Sequence, residues 1–303
     1  MSIAIERGKD WLAHSDLRPT RQRVALAALL VSATRAALRS GPRALLVGHW
    51  LWPGGGLAQM AARLAGVEAT TICHSGAVRM TAALPRVLSR PLMAAGLGGG
   101  PYVATCQELV SVIEAVVGAQ AADRAHVAPM PVPKPQRVGV PLQKGPWRLL
   151  FMGRLVPIKG LDALMEVLLE VGAQTCVLEV AGDGPQRAAL EQKAAALGLD
   201  VRFHGVVVGE AKARLLSSCH GFVLPSLILP DGRTEGVPVS ALEALSYGLP
   251  LWATRVGGVT ELVDSHRLGV GCEPGVEGLC GSWPAFEALM ERRWSLNDPG
   301  QWH

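Results

Sequence analysis

Between Pro225 and Val263 two glutamates stand eight positions apart, joined by a segment that reads Glu235-Gly236-Val237-Pro238-Val239-Ser240-Ala241-Leu242-Glu243. Proline suits a first helical turn, because its fixed φ fits the helix and its missing N–H had no partner there. Gly236 lets a ligand come close to the backbone. A helix starting at this point turns the N–H groups of Gly236, Val237 and Val239 outward at its positive dipole end, which is a seat for a diphosphate. Glu243 lies about a turn and a half along such a helix and reaches back toward the same crevice. A carboxylate there accepts two hydrogen bonds, as the vicinal hydroxyls of a ribose require. Glu235 precedes the helix, nearer to where a sugar on that diphosphate would sit. Taken singly, a solvated loop and an outer helix face also explain these glutamates. The pair embedded in one helix-opening segment favours a ligand.

Other segments exclude more than they assign. Gly182-Asp183-Gly184-Pro185 follows an apolar run, but the full G-x-G-x-x-G fingerprint of a nicotinamide cofactor is missing. The loop reads as part of a nucleotide-sugar crevice, with base contacts unassigned. Cys73, Cys106, Cys176, Cys219, Cys272 and Cys280 are scattered, with no CxxC pair and no Cys/His cluster. They read as small buried apolar residues in a reducing compartment, and neither a structural metal nor a cofactor is expected. No Asp-x-Asp triplet occurs to hold a divalent ion.

Around these groups the chain alternates strand and helix patterns. Arg148–Met152, Val177–Ala181, Val201–Phe203, Gly221–Leu224 and Leu251–Thr254 read as strands. The helices Leu161–Val171, Gln186–Leu197, Ala211–Ser217, Val239–Tyr247 and Val259–Val263 follow them in turn. Five such units predict a doubly wound parallel sheet over 147–303, with one closing helix through Trp283, Phe286, Leu289, Met290 and Trp294. Earlier, strands at Leu45–Gly48, Ala69–Cys73 and Tyr102–Thr105 and helices at Leu57–Leu64 and Glu108–Val117 predict a second, smaller parallel sheet over 41–145. Residues 128–146 hold six prolines and little periodicity, and read as the linker. Residues 1–40 read as a helical extension.

The length of 303 residues suits two domains of about 150 each, and 49% apolar against 18% charged residues is enough to build both cores. A net charge of +4 fits anionic substrates, or weak rest on an anionic membrane, and is too small to argue for nucleic acid. The most apolar helical stretch, Val24 to Leu38, is broken by Thr34 and Arg35 and falls short of the ~20 residues a membrane span needs. Glu6, Arg7 and Asp10 precede any apolar run, so no secretory signal is read. The expected location is cytoplasmic, with peripheral contact at the inner membrane face left open.

The Glu235–Glu243 segment resembles the Glu-x7-Glu motif of the retaining glycosyltransferases of GT-B architecture, group 1 or family 4. Gly248-Leu249-Pro250, Ala253-Thr254, the run Gly257 to Val263, Gly153-Arg154-Leu155 with Lys159-Gly160, and Gly182 to Pro185 are similar to that family in the same order. The resemblance implies two Rossmann-type domains facing a cleft. It implies that Gly153, Arg154, Lys159, Gly236, Val237, Pro238 and Val239 hold the donor diphosphate, that Glu243 holds the ribose, and that Glu235 contacts the sugar and positions the reacting centre. Fixed cations and a helix terminus would supply the countercharge a departing diphosphate needs. In the first domain, His49-Trp50-Leu51-Trp52-Pro53 and His74-Ser75-Gly76 resemble the centre of the family's acceptor domain, which makes His74 a second catalytic candidate; Ser75 interrupts the usual His-Gly pair.

The sequence departs from that family before Arg43, where its opening strand and Gly-rich loop are not found, so the N-terminal domain reads as incomplete. Leu17 to Leu26 resembles the start of ferric-uptake-regulator-type winged-helix proteins, but over one helix only, and no nucleic-acid partner is expected. The expected function is a metal-independent, retaining transfer of a sugar from a nucleoside diphosphate sugar to a glycan or lipid-linked acceptor, of polysaccharide or lipopolysaccharide type. The alternative is a truncated, inactive relative that binds nucleotide sugar or a partner protein only.

Overall fold

The computed structural model describes residues 21–40, 44–135, 146–172, 176–230, 232–265 and 267–296. The first half of the expected N-terminal extension, the linker stretch 136–145 and Asp231 lie outside the described residues. The chain divides into two compact units, Met1–Pro129 and Met130–His303.

In the first unit, α1 (Arg21–Ser40) leads to β1 (Leu45–His49), a single wide turn over Leu51–Gly55 and α2 (Gly56–Ala65). Then come β2 (Glu68–Cys73), α3 (Ser75–Ala82), α4 (Arg86–Leu97), β3 (Tyr102–Ala104), α5 (Gln107–Val117), a 3-10 turn (Ala119–Arg124) and β4 (Ala125–Val127). The strands form one parallel sheet in the order β1-β2-β3-β4. Crossover helices are what parallel pairing demands, because a tight turn cannot return a strand in the same direction. Leu51, Met93, Leu97, Tyr102, Leu109 and Ile113 are fully buried and fill the core. The helices α3 and α4 occupy a stretch to which the sequence pattern assigned no element. Both carry apolar residues on their outer faces as well as their inner ones, so the polar alternation that marks a surface helix is absent.

The second unit runs β5 (Trp147–Met152), a 3-10 turn (Pro157–Lys159), α6 (Leu161–Glu170), β6 (Cys176–Ala181), α7 (Arg187–Leu197), β7 (Val201–Gly205) and α8 (Gly209–Ser218). It continues through β8 (Gly221–Leu224), α9 (Val239–Ser246), β9 (Leu251–Thr254), α10 (Gly258–Ser265), β10 (Gly269–Cys272) and α11 (Val276–Leu296). The parallel sheet has the order β10-β9-β8-β5-β6-β7. The expected doubly wound sheet is present, with a sixth strand, β10, beyond the five the pattern predicted. Gly269 and Gly271 deny β10 the branched-residue run by which a strand is recognised.

Central strands of such a sheet are covered on both faces and so are largely apolar; β6, β8 and β9 are buried at every position, Glu179 of β6 included. One face packs Leu149, Phe151 and Val180 against α6 and α11, and the other packs Leu150, Met152 and Phe222 against α8, α9 and α10. On the first face Trp252 stacks on Phe286 at 5.3 Å and meets Trp283 edge-on at 5.4 Å. Its indole N–H donates to Ser282 at 2.8 Å. Truncating a buried Trp of this kind costs about 3–5 kcal/mol.

The strand order determines where a ligand can sit. From β5 the chain moves to β6 and β7 on one side, then returns to β8 on the other side of β5. Loops leaving the carboxyl ends of β5 and β8 therefore diverge to opposite faces and leave a crevice between them.

Candidate functional site

The loop after β5 carries Gly153, Arg154 and Lys159. It is woven into the neighbouring loop after β6. The Gly153 N–H donates to the Ala181 carbonyl at 3.0 Å, Leu155 N–H to Asp183 at 2.9 Å, and Gln186 N–H to Leu155 at 3.1 Å. Gly182 to Pro185 thus braces the β5 loop, consistent with its place at the crevice. Arg154 is exposed on this loop. Lys159 closes the 3-10 turn and points toward the loop that follows β8.

That second loop carries Glu235. The Lys159 ammonium lies 2.6 Å from the Glu235 carboxylate, with only 14% and 17% of the two side chains exposed. Two residues separated by the whole β6-to-β8 excursion thereby meet across the switch point of the sheet. Ser226 Oγ also donates to Glu235 Oε2, at 3.4 Å, and the Ser226 carbonyl accepts from the buried Thr254 hydroxyl at 2.5 Å. Leu227 N–H donates to Ile158 at 2.8 Å, joining the two loops through their backbones as well. The Glu235 backbone rests on Gly257. A Cβ there would fall 2.0 Å from the Glu235 carbonyl oxygen, and Gly257 has a φ of +52°.

Gly236 and Val237 follow outside any helix or strand, Pro238 is buried at the N-cap in extended backbone, and α9 begins at Val239. The N-cap Pro238 makes no side-chain cap hydrogen bond, so the first N–H groups of the helix have no capping side chain. Glu243, in the middle of α9, is placed differently from Glu235. Its carboxylate accepts from Lys212 Nζ of α8 at 2.6 Å. The structure therefore brings Lys159 and Glu235 into contact, places Gly236–Val239 in continuity with them, and holds Glu243 one turn further on through a lysine that the motif pattern did not single out.

In the first unit His74 sits between β2 and α3, half-buried, in extended backbone at the helix N-cap position. Its Nε2 lies 3.4 Å from His49 Nδ1, and the two rings stack at 5.7 Å. The Trp50 ring approaches His74 at 5.5 Å. Partial burial, followed by the neighbouring His49, holds the His74 imidazole below its ordinary pKa and favours the neutral form. Trp50 has a φ of +69°, the one non-glycine residue in the left-handed region among those described. Backbone strain of this kind persists only where surrounding structure enforces it.

Glu179 is a charged group the motifs missed. It is fully buried in β6, accepting from Arg148 at 2.7 and 3.0 Å and lying 2.6 Å from His204 Nε2. It stands mid-strand with its oxygens taken, so its work is to hold β5, β6 and β7 together. The cysteines are buried except for Cys280, which is partly so, and burial pushes the Cys73 thiol up to about 12, far from a reactive thiolate. Among the described residues no group of three or more His, Cys, Asp or Glu side chains gathers as a metal site. No helix among them is long and apolar enough to cross a membrane.

Residues 146–280 match the family described as glycosyl transferases group 1. The D-rhamnosyltransferase WbpZ of Pseudomonas aeruginosa is 33% identical over 173 residues, which is 56% of this chain and 42% of the relative. The amylovoran biosynthesis glycosyltransferase AmsK of Erwinia amylovora is 30% identical over 155 residues, 49% of this chain and 38% of the relative. The chain thus spans well under half the length of these curated relatives. Solved structures extend the likeness in fold to both units. The lipopolysaccharide outer core galactosyltransferase WaaB aligns over 93% of this chain and 76% of its own, with a TM-score of 0.67 at 18% identity. Anabaena Alr3699/HepE, in complex with UDP, aligns over 92% and 79%, with a TM-score of 0.71 at 17% identity.

Proposed function

We propose that this chain, which has the fold of GT-B glycosyltransferases and matches the glycosyl transferases group 1 family over 146–280, transfers a sugar from a nucleoside diphosphate sugar to a glycan or a lipid-linked acceptor, with retention and without a metal ion. The observation that carries this reading is the Lys159–Glu235 pair at 2.6 Å, set at the switch point of the sheet beside the uncapped start of α9.

The pair gives one cation and one anion at the place where a sugar diphosphate changes from negative to neutral. Lys159, with Arg154 and the N–H groups of Gly236, Val237 and Val239, would face the two phosphates and stabilise the charge that grows on the leaving nucleotide. Gly153 and Pro238 shape the two loops. Glu235 would contact the sugar and hold it over that cationic seat. Glu243, kept in place by Lys212, would accept the ribose hydroxyls. His74, whose neutral form partial burial and His49 favour, would be a hydrogen-bonding group for sugar hydroxyls. The solved neighbour bound to UDP supports a uridine nucleotide as the first donor to try. The names of the relatives support polysaccharide or lipopolysaccharide as the product class.

The test is a panel of nucleoside diphosphates and nucleotide sugars, read by the rise in melting temperature that a ligand binding only the folded state produces. One or more is expected to stabilise the wild-type chain and to lose most of that effect with Glu243→Ala. A panel with no stabilising member would remove the donor site. Binding without release of sugar to any acceptor or to water would leave the protein a nucleotide-sugar binder.

A further inference from the structure

The connection from β1 to α2 carries two tryptophans, two positions apart, that are held in different ways. Trp52 is tied down: its indole N–H donates to the Leu92 carbonyl at 3.0 Å, and its ring lies against Gly56. The Trp50 indole N–H has no partner among the described residues, and the residue is 50% exposed. Its backbone stands at φ +69° and ψ +142°, a combination open in practice to glycine alone. The ring approaches His74 at 5.5 Å, and a Cβ at Gly76 would fall 3.3 Å from it, so the smallest residue leaves the indole its room. Strain of this kind is ordinarily offset by burial of the side chain that incurs it. Here half of that side chain stays in solvent, which a ligand covering the ring would explain.

The two histidines beside the ring define what that ligand can be. His49 Nδ1 and His74 Nε2 face each other at 3.4 Å. Two neutral imidazoles carry one N–H each. Whichever ring donates in the shared bond, its far nitrogen is left an acceptor, and the far nitrogen of the other ring is a donor. The pair therefore offers one donor and one acceptor, at His49 Nε2 and His74 Nδ1, neither of them partnered among the described residues. Neighbouring hydroxyls, each able to donate and to accept, satisfy either arrangement. The cluster supplies no cation for a phosphate or carboxylate, because Arg79, one turn along α3, is taken up by Ser75 and Glu108. A neutral ring with hydroxyls on its rim and C–H bonds on its face fits these groups, since weakly positive C–H groups pack on the negative face of an indole. A pyranose is such a ring.

We infer that Trp50, His49 and His74 form a binding site for a sugar ring of the acceptor, with the indole as the stacking platform and the histidine pair as the edge that takes the hydroxyls. The acceptor would then present a saccharide rather than a bare lipid alcohol. The inference rests on the transfer reading only in calling that sugar the acceptor; the site itself involves none of the donor-site residues of the second unit.

The experiment is saturation-transfer NMR of the full chain with the methyl pyranosides of glucose, galactose, mannose and N-acetylglucosamine. Sorbitol serves as the control, a polyol of similar hydroxyl content without a rigid C–H face. At least one pyranoside is expected to take up saturation, most strongly on the C–H groups of one ring face, and sorbitol is not. Trp50→Phe should keep the signal. Trp50→Gly should remove it while the melting temperature holds or rises, because glycine adopts this backbone without strain. His49→Ala should weaken the apparent affinity about five-fold, as loss of one hydrogen bond does. Any nucleotide that stabilises the wild type should stabilise Trp50→Gly equally, so that a failed sugar site and a failed donor site are read apart. Four results overturn the inference: no pyranoside takes up saturation, sorbitol takes up as much, Trp50→Gly binds as well as the wild type, or Trp50→Gly loses the signal only because its melting temperature collapses. Saturation that depends on Trp50 in a chain that no nucleotide stabilises would support the sugar site and remove the transfer reading instead.

Discussion

On the proposed reading, Glu235 is the residue at which donor binding and sugar transfer would come apart. Its carboxylate is 2.6 Å from Lys159 and within 3.4 Å of the Ser226 hydroxyl, inside a loop that Gly257 holds by close backbone approach. Glutamine keeps the shape and one acceptor but removes the charge. On the proposed reading the phosphate seat would be made by other groups, namely Lys159, Arg154 and the N–H groups that open α9, so the nucleotide should not register the loss. Glu235→Gln is therefore expected to lower the transfer rate by about 10²–10³, the range seen when one charge-stabilising group is removed. Nucleotide affinity should stay within a few-fold, measured by calorimetric titration. Equal transfer rates in mutant and wild type would take Glu235 out of the mechanism. The residue types at this site were legible in the sequence because Glu235, Gly236 and Pro238 are continuous along the chain. Lys212 was not, because its contact with Glu243 spans 31 positions and depends on how α8 packs beside α9. The contact of His49 with His74 was hidden for the same reason. His49 ends β1 and His74 directly follows β2, and only the parallel pairing of β1 with β2 brings the two together.

At the scale of elements, the second unit was readable because every strand leads to a turn and a helix of ordinary amphipathic pattern, and the motifs fall on the turns. The elements that escaped did so for identifiable reasons. In β10, Gly269 and Gly271 leave no alternation to detect, and its pairing with β9 comes from the sheet. In α4, the outward face is as apolar as the inward one. The glycines after β9 and α9 show how the elements support the site. Gly257 combines a φ of +52° with a Cβ position 2.0 Å from the Glu235 carbonyl oxygen, whereas Gly248 has a φ of +71° and open space around it. Alanine at 248 meets only the left-handed backbone penalty, about 1–2 kcal/mol. Alanine at 257 meets the same penalty and must also push the Glu235 backbone away. Gly257→Ala is expected to lower the unfolding free energy by more than Gly248→Ala in urea titrations, and to reduce transfer in the folded population; Gly248→Ala should leave transfer intact. If the two variants are equally stable and equally active, the Gly257–Glu235 contact does not position the carboxylate.

The whole molecule divides its tasks between units that are tied to known proteins in different ways. The second carries the family match and the Lys159–Glu235 pair; the first shares a fold with solved structures and holds the His49–His74 pair. What the proposed reaction requires is a balance of charge. A nucleoside diphosphate leaves with more negative charge than it carried as a sugar ester, and that charge must be met by a divalent ion or by fixed groups. This chain has 29 lysines and arginines against 25 acidic residues, and no Asp-x-Asp triplet. Lys159 is already desolvated to 14% exposure, and α9 offers N–H groups uncapped by any side chain. In such a partly dry setting a fixed cation interacts with phosphate several times more strongly than it would in water. These groups should carry the leaving charge by themselves. The transfer rate in excess EDTA is therefore expected to equal the rate without it, and Lys159→Ala to lower that rate with or without added Mn²⁺. Complete loss of transfer in EDTA, recovered on adding Mn²⁺, would shift the countercharge from the protein to a metal ion and leave Lys159 an accessory to it.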